Sequence, residues 1–312
     1  MTRLPDTIGS RGGRARVTTW QYPSVPEFPP RLRAHVEIGV PVLRDGWVAV
    51  FYLPDSCDRH RAAVAESVAE YLRLVDSPDL RLTIDEEGYP VALTDAEIAE
   101  RLAYVAKPSG ESVGLSLMDR KNGVSGHRLR YMGFGADDPI AGPEATSLLL
   151  LTYTSETVER LGLERFARFH DELADRLPLS TGYVSPAFLA ATGAGEPAAF
   201  EVIRAIWREH PCLDIPYISL DWMLLGDRIR GAYWLNYLAP GTVDPSTDPD
   251  LLVRELSSGT MAIQVDGPPD GDPAPYRRLA ESFAPRAFRP TIPFPEFDAE
   301  EIAAWFARFD PS

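Results

Sequence analysis

Lysine and cysteine are nearly absent from this sequence. Lys107 and Lys121 are the only lysines among 31 basic residues, which removes Schiff-base and other lysine-dependent chemistry from most of the chain. Cys57 and Cys212 are the only cysteines in 312 residues. Two thiols make no disulfide framework at this length, and a reducing compartment is the simpler reading. Long apolar runs are missing as well: residues 148–151 are far shorter than the roughly 20 residues a bilayer span needs. The N-terminal stretch is polar, carries Arg3, Arg11, Arg14 and Arg16, and lacks the apolar segment of a secretory signal. A cytoplasmic protein without membrane association is expected.

Catalytic signatures are also lacking. No GxGxxG, P-loop, HExxH or GxSxG pattern occurs, so nucleotide, zinc-protease and α/β-hydrolase readings have no starting residues. Gly133-Phe134-Gly135 is too short to cradle a phosphate and reads as the end of a strand.

What is present is negative charge. The 46 acidic residues against 31 basic ones give a formal charge of -15. That balance argues against direct nucleic-acid binding, which rests on Lys and Arg neutralising phosphates. It suits solubility, and equally a partner that is itself basic, such as a nucleic-acid-handling protein. At 45% hydrophobic and 25% charged, the composition is that of a globular chain able to bury a sizeable core.

Periodicity and turn chemistry predict an α+β fold: a mixed, largely antiparallel sheet or sheets with helices packed on the faces. Residues 1–30 read as a flexible arm and a Pro-rich lead-in, and residues 31–312 as a single domain. Residues 35–43 and 47–53 are expected to form a hairpin around Arg44-Asp45-Gly46, an Asp-Gly between apolar runs. A helix follows from Asp58 to about Val75, then a strand at 80–84 and the acidic turn Asp85-Glu86-Glu87-Gly88. Thr94 and Glu97 form a capping box that opens a helix with Ile98, Leu102 and Val105 inward. Strands are expected at 113–118 and 128–134, joined at Lys121-Asn122-Gly123.

The continuous apolar run 147–153 reads as a strand covered on both faces. One long helix to Leu177, an extended stretch at 181–189 and a helix from Pro197 to His210 come next. Pro211 stops that helix, and two strands are expected to pair around Gly226-Asp227. In the second of them, Arg228, Arg230 and Trp234 alternate with Ile229, Gly231, Tyr233, Leu235 and Tyr237. The acidic run 244–250 is expected to cap a short helix. A strand at 261–265, a helix near 276–283 and a last helix opened by the Asp298 and Glu301 capping box complete the chain.

Four constellations could carry chemistry. Cys57 with His60, and His210 with Cys212, have the residue types of a zinc site. Each lies at a helix start or a forced bend, however, and no metal or cofactor is expected. Cys212 lies in an apolar context where a thiol is inert, which argues against a Cys–His nucleophile. Asp214 and Asp221 have apolar neighbours and are the candidates for acid–base hydrolysis, the enzymatic alternative. The turn acids Asp85, Glu86 and Glu87, with Asp244, Asp248 and Asp250, are candidates for contact with a basic partner. Trp207, His210, Pro211, Asp214, Trp222 and Trp234 read as a structural corner, although Tyr217, Trp222, Tyr233, Trp234 and Tyr237 are also residue types that dominate binding surfaces when exposed.

Three ordered motifs stand out: Gly182-Tyr183-Val184-Ser185-Pro186, then Trp207…His210-Pro211-Cys212-Leu213-Asp214-Ile215, then Gly231…Trp234-Leu235-Asn236-Tyr237-Leu238. In this order and spacing the chain resembles the type VI secretion immunity-protein family, long carried as a domain of unknown function, over about residues 30 to 290. The resemblance implies a cytoplasmic antitoxin that binds a cognate toxin effector, including nucleases of the restriction-endonuclease type, without turnover. It assigns no contact residues. A hydrolase using Asp214 and Asp221, or a scaffold component of a secretion system, are the alternatives.

Overall fold

The computed structural model describes residues 17–21, 32–36, 39–85, 87–120, 123–191, 195–216, 221–243, 249–269, 271–290 and 297–310. Its strands are β1 (Val17–Gln21), β2 (Arg33–Val36), β3 (Pro41–Leu53), β4 (Leu82–Ile84), β5 (Pro90–Ala92) and β6 (Val113–Met118). They continue with β7 (Arg128–Gly133), β8 (Ser147–Thr154), β9 (Thr181–Ala190), β10 (Leu235–Leu238), β11 (Leu251–Glu255) and β12 (Met261–Val265). The helices are α1 (Arg61–Val75), α2 (Asp95–Val105), α3 (Ser155–Leu161), α4 (Leu163–Arg176), α5 (Glu196–Ile206), α6 (Asp221–Leu224), α7 (Ala274–Phe283) and α8 (Ala299–Phe306).

All twelve strands belong to one open sheet, ordered β11-β12-β10-β9-β3-β8-β7-β6-β4-β5, with β2 joining β3 and β1 joining β2. Every strand pairing is antiparallel. The fold is therefore α+β, as the sequence pattern implies. No helix among the described residues is long and apolar enough to cross a membrane.

Two cores lie on the two faces of this sheet. Trp47, Ala49 and Phe51 of β3 with Leu149 and Leu151 of β8 pack beneath α1 and α4. The alternate residues Val48, Val50, Tyr52, Leu148 and Leu150 pack beneath α5 and α8. Successive side chains of a strand point to opposite faces, so burying both faces makes β8 buried at every position. That is the continuous apolar run read from 147–153.

Farther out, the strands change character. Val113, Leu115 and Leu117 of β6 and Leu129 and Tyr131 of β7 join the first core. The alternate positions face the other side, where Gly114 is exposed and Ser116, Arg128, Arg130 and Met132 are half-buried. The outer wing of the sheet is covered on one face only.

Several local readings hold. β6 has the bounds read from its pattern. Both capping boxes form, Thr94 with Glu97 and Asp298 with Glu301. Others fail for identifiable reasons. The Asp45-Gly46 hairpin does not form, because β3 runs straight through it as a single strand of 13 residues. Along one edge β3 pairs first with β2, from Arg44 back to Pro41, and from Gly46 onward with β8. Along the other it pairs with β9 from Leu43 to Tyr52. Gly46 serves close approach here: a Cβ would collide with Leu189 Cδ1 and sit 2.7 Å from the Tyr153 carbonyl oxygen. Asp45 serves the handover from β2 to β8. Its Oδ1 accepts from the Leu32 amide at 2.8 Å and its Oδ2 accepts from Ser155 Oγ.

The expected hairpin at Gly226-Asp227 does not form among the described residues. Residues 221–224 form α6, and only β10 is a strand, pairing with β9 and β12. Arg230 and Tyr233, assigned to opposite sides by alternation, bond to each other in one buried network, so the period of two fails before Leu235. Instead of a short helix, β11 follows Asp250 and turns back on β12, with Leu256 N donating to Thr260 O at 2.9 Å. The long helix expected after β8 is broken at Gly162, the poorest helix former short of proline. Within the expected arm, residues 17–21 pair with β2 as β1. The sequence reading did not foresee β5. Lys121 and Asn122 lie outside the described residues.

Candidate functional site

Asp214 and Asp221 do come together, but on a guanidinium and not in a cleft. Arg230 donates from Nη1 to Asp214 Oδ1 at 2.7 Å and from Nε to Asp221 Oδ2. Its remaining donors reach the Tyr233 hydroxyl and, at 3.0 Å, the Ile215 carbonyl. Tyr183 Oη donates to Asp214 Oδ2 at 2.8 Å, and Asp221 Oδ1 accepts from the Trp222 amide at 2.8 Å. The Trp305 ring covers the guanidinium, with its centroid 5.0 Å from Arg230 Cζ. Asp214, Asp221 and Arg230 are 0%, 3% and 1% exposed.

Two carboxylates against one cation leave this knot one charge short of neutral. Burial raises the Asp221 pKa, opposed by Arg230. Burial alone would lower the Arg230 pKa. Asp214 and the surrounding tyrosines and carboxylate outweigh it and hold the guanidinium well above its usual value. Every polar atom of the knot is spent on another side chain or on backbone, and acid–base hydrolysis needs carboxylates that reach a substrate. The arrangement ties α6, the stretch before β10 and the turn after Pro211 to β9. It offers nothing to a substrate.

The residues read as a corner divide between the two faces. Trp207 is buried in the second core, with Arg208 stacked 4.5 Å from its ring. Trp234 lies in the first core, edge-on to Trp47 at 5.3 Å. His210 is half-buried, and burial lowers its pKa. The Pro211 carbonyl accepts from Arg308 Nε at 2.8 Å. Asp214 exchanges backbone bonds with Pro186 and Phe188 of β9 at 2.8 and 2.9 Å. Trp222 is half-buried and stacks on Phe134 at 5.5 Å, while Tyr233 and Tyr237 are buried and Tyr217 lies outside the described residues.

The cysteine and histidine pairs have structural surroundings. Cys57 Sγ donates to the Glu111 carbonyl at 3.4 Å, and burial pushes its pKa up, which disfavours the reactive thiolate. Cys212 is buried, and its carbonyl accepts from Ser185 Oγ at 3.2 Å. No group of three His, Cys, Asp or Glu side chains is placed to hold a metal ion among the described residues.

The acidic candidates lie at opposite ends of the sheet. Asp85 and Glu87 occupy the tight turn between β4 and β5, where Asp85 Oδ1 accepts from the Tyr89 amide at 2.6 Å. Asp250 precedes β11 at the other end of the strand order and is bonded to Arg278. Nine strand spacings of about 4.8 Å put these ends roughly 40 Å apart, too far for one contact of ordinary size. Glu86, Asp244 and Asp248 lie outside the described residues.

On the hairpin that carries Asp85 and Glu87, and on α2 after it, the structure adds side chains that the sequence reading missed. Ile84, Tyr89, Val91 and Tyr104 are exposed, four of the six large apolar side chains that face solvent among the described residues. A signal for Tyr104 existed, since it falls off the apolar stripe formed by Ile98, Leu102 and Val105. Tyr89 and Val91 carried none until β5 was known to be an edge strand.

Comparison with known proteins places this geometry. The fold is similar to that of a solved structure titled "Pseudomonas aeruginosa T6SS protein PA0821", with a TM-score of 0.66 over 88% of this chain and 84% of that chain. Their sequence identity is 16%, so the likeness is one of fold. No curated protein matches the sequence. Residues 57–265, more than half of the chain, match the family described as TsiV, type VI immunity for VRR-NUC. That span contains the Arg230 knot and the acidic hairpin alike, and on it the chain belongs to the TsiV family of type VI immunity proteins.

Proposed function

We propose that this protein neutralises a cognate VRR-NUC nuclease toxin in the cytoplasm by stoichiometric binding, without turnover. The observation that carries the reading is the family match over residues 57–265. The sealing of Asp214 and Asp221 on Arg230 supports it, because these were the carboxylates best placed in the sequence for hydrolysis. The net charge of -15 supports it too. A nuclease presents positive charge to its nucleic acid, and an acidic inhibitor is drawn to that surface by electrostatic steering.

Co-expression with the toxin encoded beside its gene restores growth on this reading. With purified proteins, nuclease activity falls linearly and reaches zero near one inhibitor per toxin. Complete inhibition at a small fraction of that ratio would mean turnover and would sink the stoichiometric mechanism. Steering adds a kinetic signature: the association rate falls steeply as salt rises. An association rate indifferent to salt removes steering from the mechanism and leaves the binding reading in place.

A further inference from the structure

We infer that the outer end of the sheet, formed by the β4–β5 hairpin and the exposed side of α2, is the surface that docks on the cationic nucleic-acid-binding face of the toxin. The inference rests on the immunity function proposed above and assigns it a place.

Three independent features coincide there. The first is apolar exposure. Ile84, Tyr89 and Val91 on the hairpin and Tyr104 on α2 face solvent, and Tyr89 is 68% exposed. The remaining exposed large apolar side chains, Ile140 and Leu252, stand apart from this cluster in sequence. Scattered apolar residues need no explanation, whereas a group of them rimmed by polar residues marks an interaction site. Tyrosine is also among the residue types that carry most of the energy of a protein interface.

The second feature is charge. Residues 84–104 hold six acidic residues and one base, Arg101, a net of -5 out of -15 for the whole chain. One third of the net charge sits in a fifteenth of the length. Among the described carboxylates, Glu87, Asp95, Glu97 and Glu100 are exposed. Glu100 and Tyr104 are one helical turn apart and exposed, on the side of α2 away from the stripe of Ile98, Leu102 and Val105. Aromatic side chains set among carboxylates match a surface that is cationic and built for planar bases or phosphates, which is what a nuclease presents.

The third feature is slight burial. β5 closes the strand order, with β4 as its one strand partner. Among the residues of α2 only Val105 is buried. An α2 of 11 residues is about 16 Å long. The hairpin leads into α2 across Leu93 and Thr94, so the two elements follow one another directly. At the opposite end Leu252 is the one exposed large apolar side chain among the described residues of β11 and β12.

The test uses the full chain and the toxin nuclease domain inactivated in its active site, with affinity and association rate measured directly. Tyr89→Ala weakens binding about 30-fold or more, the loss expected of an interface hot spot, with an unchanged urea midpoint. The pair Glu87→Lys and Glu100→Lys lowers the association rate at low salt at least tenfold, and supplies the test if Tyr89→Ala is poorly folded. Leu252→Ser, at the far end of the sheet, stays within twofold of the unaltered protein. Tight binding by the unaltered protein that neither variant changes by more than twofold overturns this surface and leaves the immunity function standing. Failure of the unaltered protein to bind the toxin overturns the function and the surface with it. A self-associated chain that Tyr89→Ala converts to monomer makes the patch an interface between copies and also overturns the proposal.

Discussion

The inner strands β3, β8 and β9 and the outer wing β7-β6-β4-β5 belong to one sheet, yet they obey different constraints. β8 is buried at all eight positions, paired on both edges and covered on both faces. β7 alternates between buried and half-buried residues, and β5 ends the sheet with two of its three residues exposed. Close packing makes interiors intolerant of small changes in volume. An inner residue is therefore specified by its neighbours, whereas an outer one is free to be chosen for what it binds. The polar groups follow the same division. Inside, Asp214, Asp221 and Arg230 satisfy one another; outside, Glu87 and Glu100 face water.

The largest expected effect breaks the inner side of that division. Arg230→Leu leaves two carboxylates buried without a cation. Removing one partner of a buried ion pair costs about 3–5 kcal/mol, and the variant should lose at least that much in urea unfolding, or fail to accumulate as folded protein. Restoring neutrality by combining Arg230→Leu with Asp214→Asn and Asp221→Asn should recover a large part of the loss. A single variant as stable as the parent would show that the knot carries no weight.

A pH series reads both regions together. His170 lies beneath the inner strands, its Nδ1–H donating to Phe166 O at 2.8 Å while Nε2 accepts from Tyr153 Oη at 3.0 Å. His60 lies beneath the outer wing, edge-on to Tyr131 of β7 at 6.3 Å. Burial lowers both pKa values from 6.5 to about 4. Between these limits the unfolded chain binds a proton at each of these two histidines that the folded chain refuses, and His210, also lowered by burial, acts in the same direction, so stability is fully present above pH 6.5 and is lost as pH falls toward 4. From pH 7 to 5 the loss from His170 and His60 should be about 4 kcal/mol. Burial raises the Asp221 pKa, which opposes this trend only in the acid range above 3.8. His170→Phe and His60→Phe should each remove a comparable share of the pH dependence. A urea midpoint independent of pH over this range would show that neither histidine is held neutral by the fold.

The smallest effects compare two glycines. Gly46→Ala in β3 drives a methyl group against Leu189 and the Tyr153 carbonyl, and overpacking of this kind costs about 1–3 kcal/mol. Gly88→Ala in the outer hairpin meets no atom within 4 Å and is opposed only by its φ of +86°, a cost of roughly 1–2 kcal/mol. Thermal unfolding of the two variants should rank Gly46→Ala as the more damaging. The reverse order would mean that the inner strands yield more readily than their burial suggests.

How much of this was legible depends on where the partners of each residue lie. The Thr94 and Asp298 capping boxes were readable because donor and acceptor are three residues apart. The alternation of β6 and the solid apolar run of β8 were readable because burial on one face or two leaves a direct mark on composition. Asp45-Gly46 was misread because Asp-Gly is a turn signal in isolation, whereas its partners Leu32 and Ser155 are 13 and 110 residues away. Arg230 was placed on the wrong side of a strand that does not form, which hid its link to Asp214 and Asp221. In the outer hairpin the acidic turn was visible in composition. The exposure of Ile84, Tyr89 and Val91 was not, since apolar residues are ordinarily assigned to a core.

The sequence by itself determined the α+β class, the acidic character, most helix boundaries and the family, because these rest on local hydrogen bonds, periodicity and ordered motifs. Only the tertiary structure decided that two candidate catalytic carboxylates would share one buried guanidinium, and that the acidic turn would sit on an uncovered sheet edge among exposed tyrosines. Both outcomes depend on which distant segments come to lie beside a residue. Charge and burial act through space, and local sequence records them only where the partner is also a neighbour in the chain.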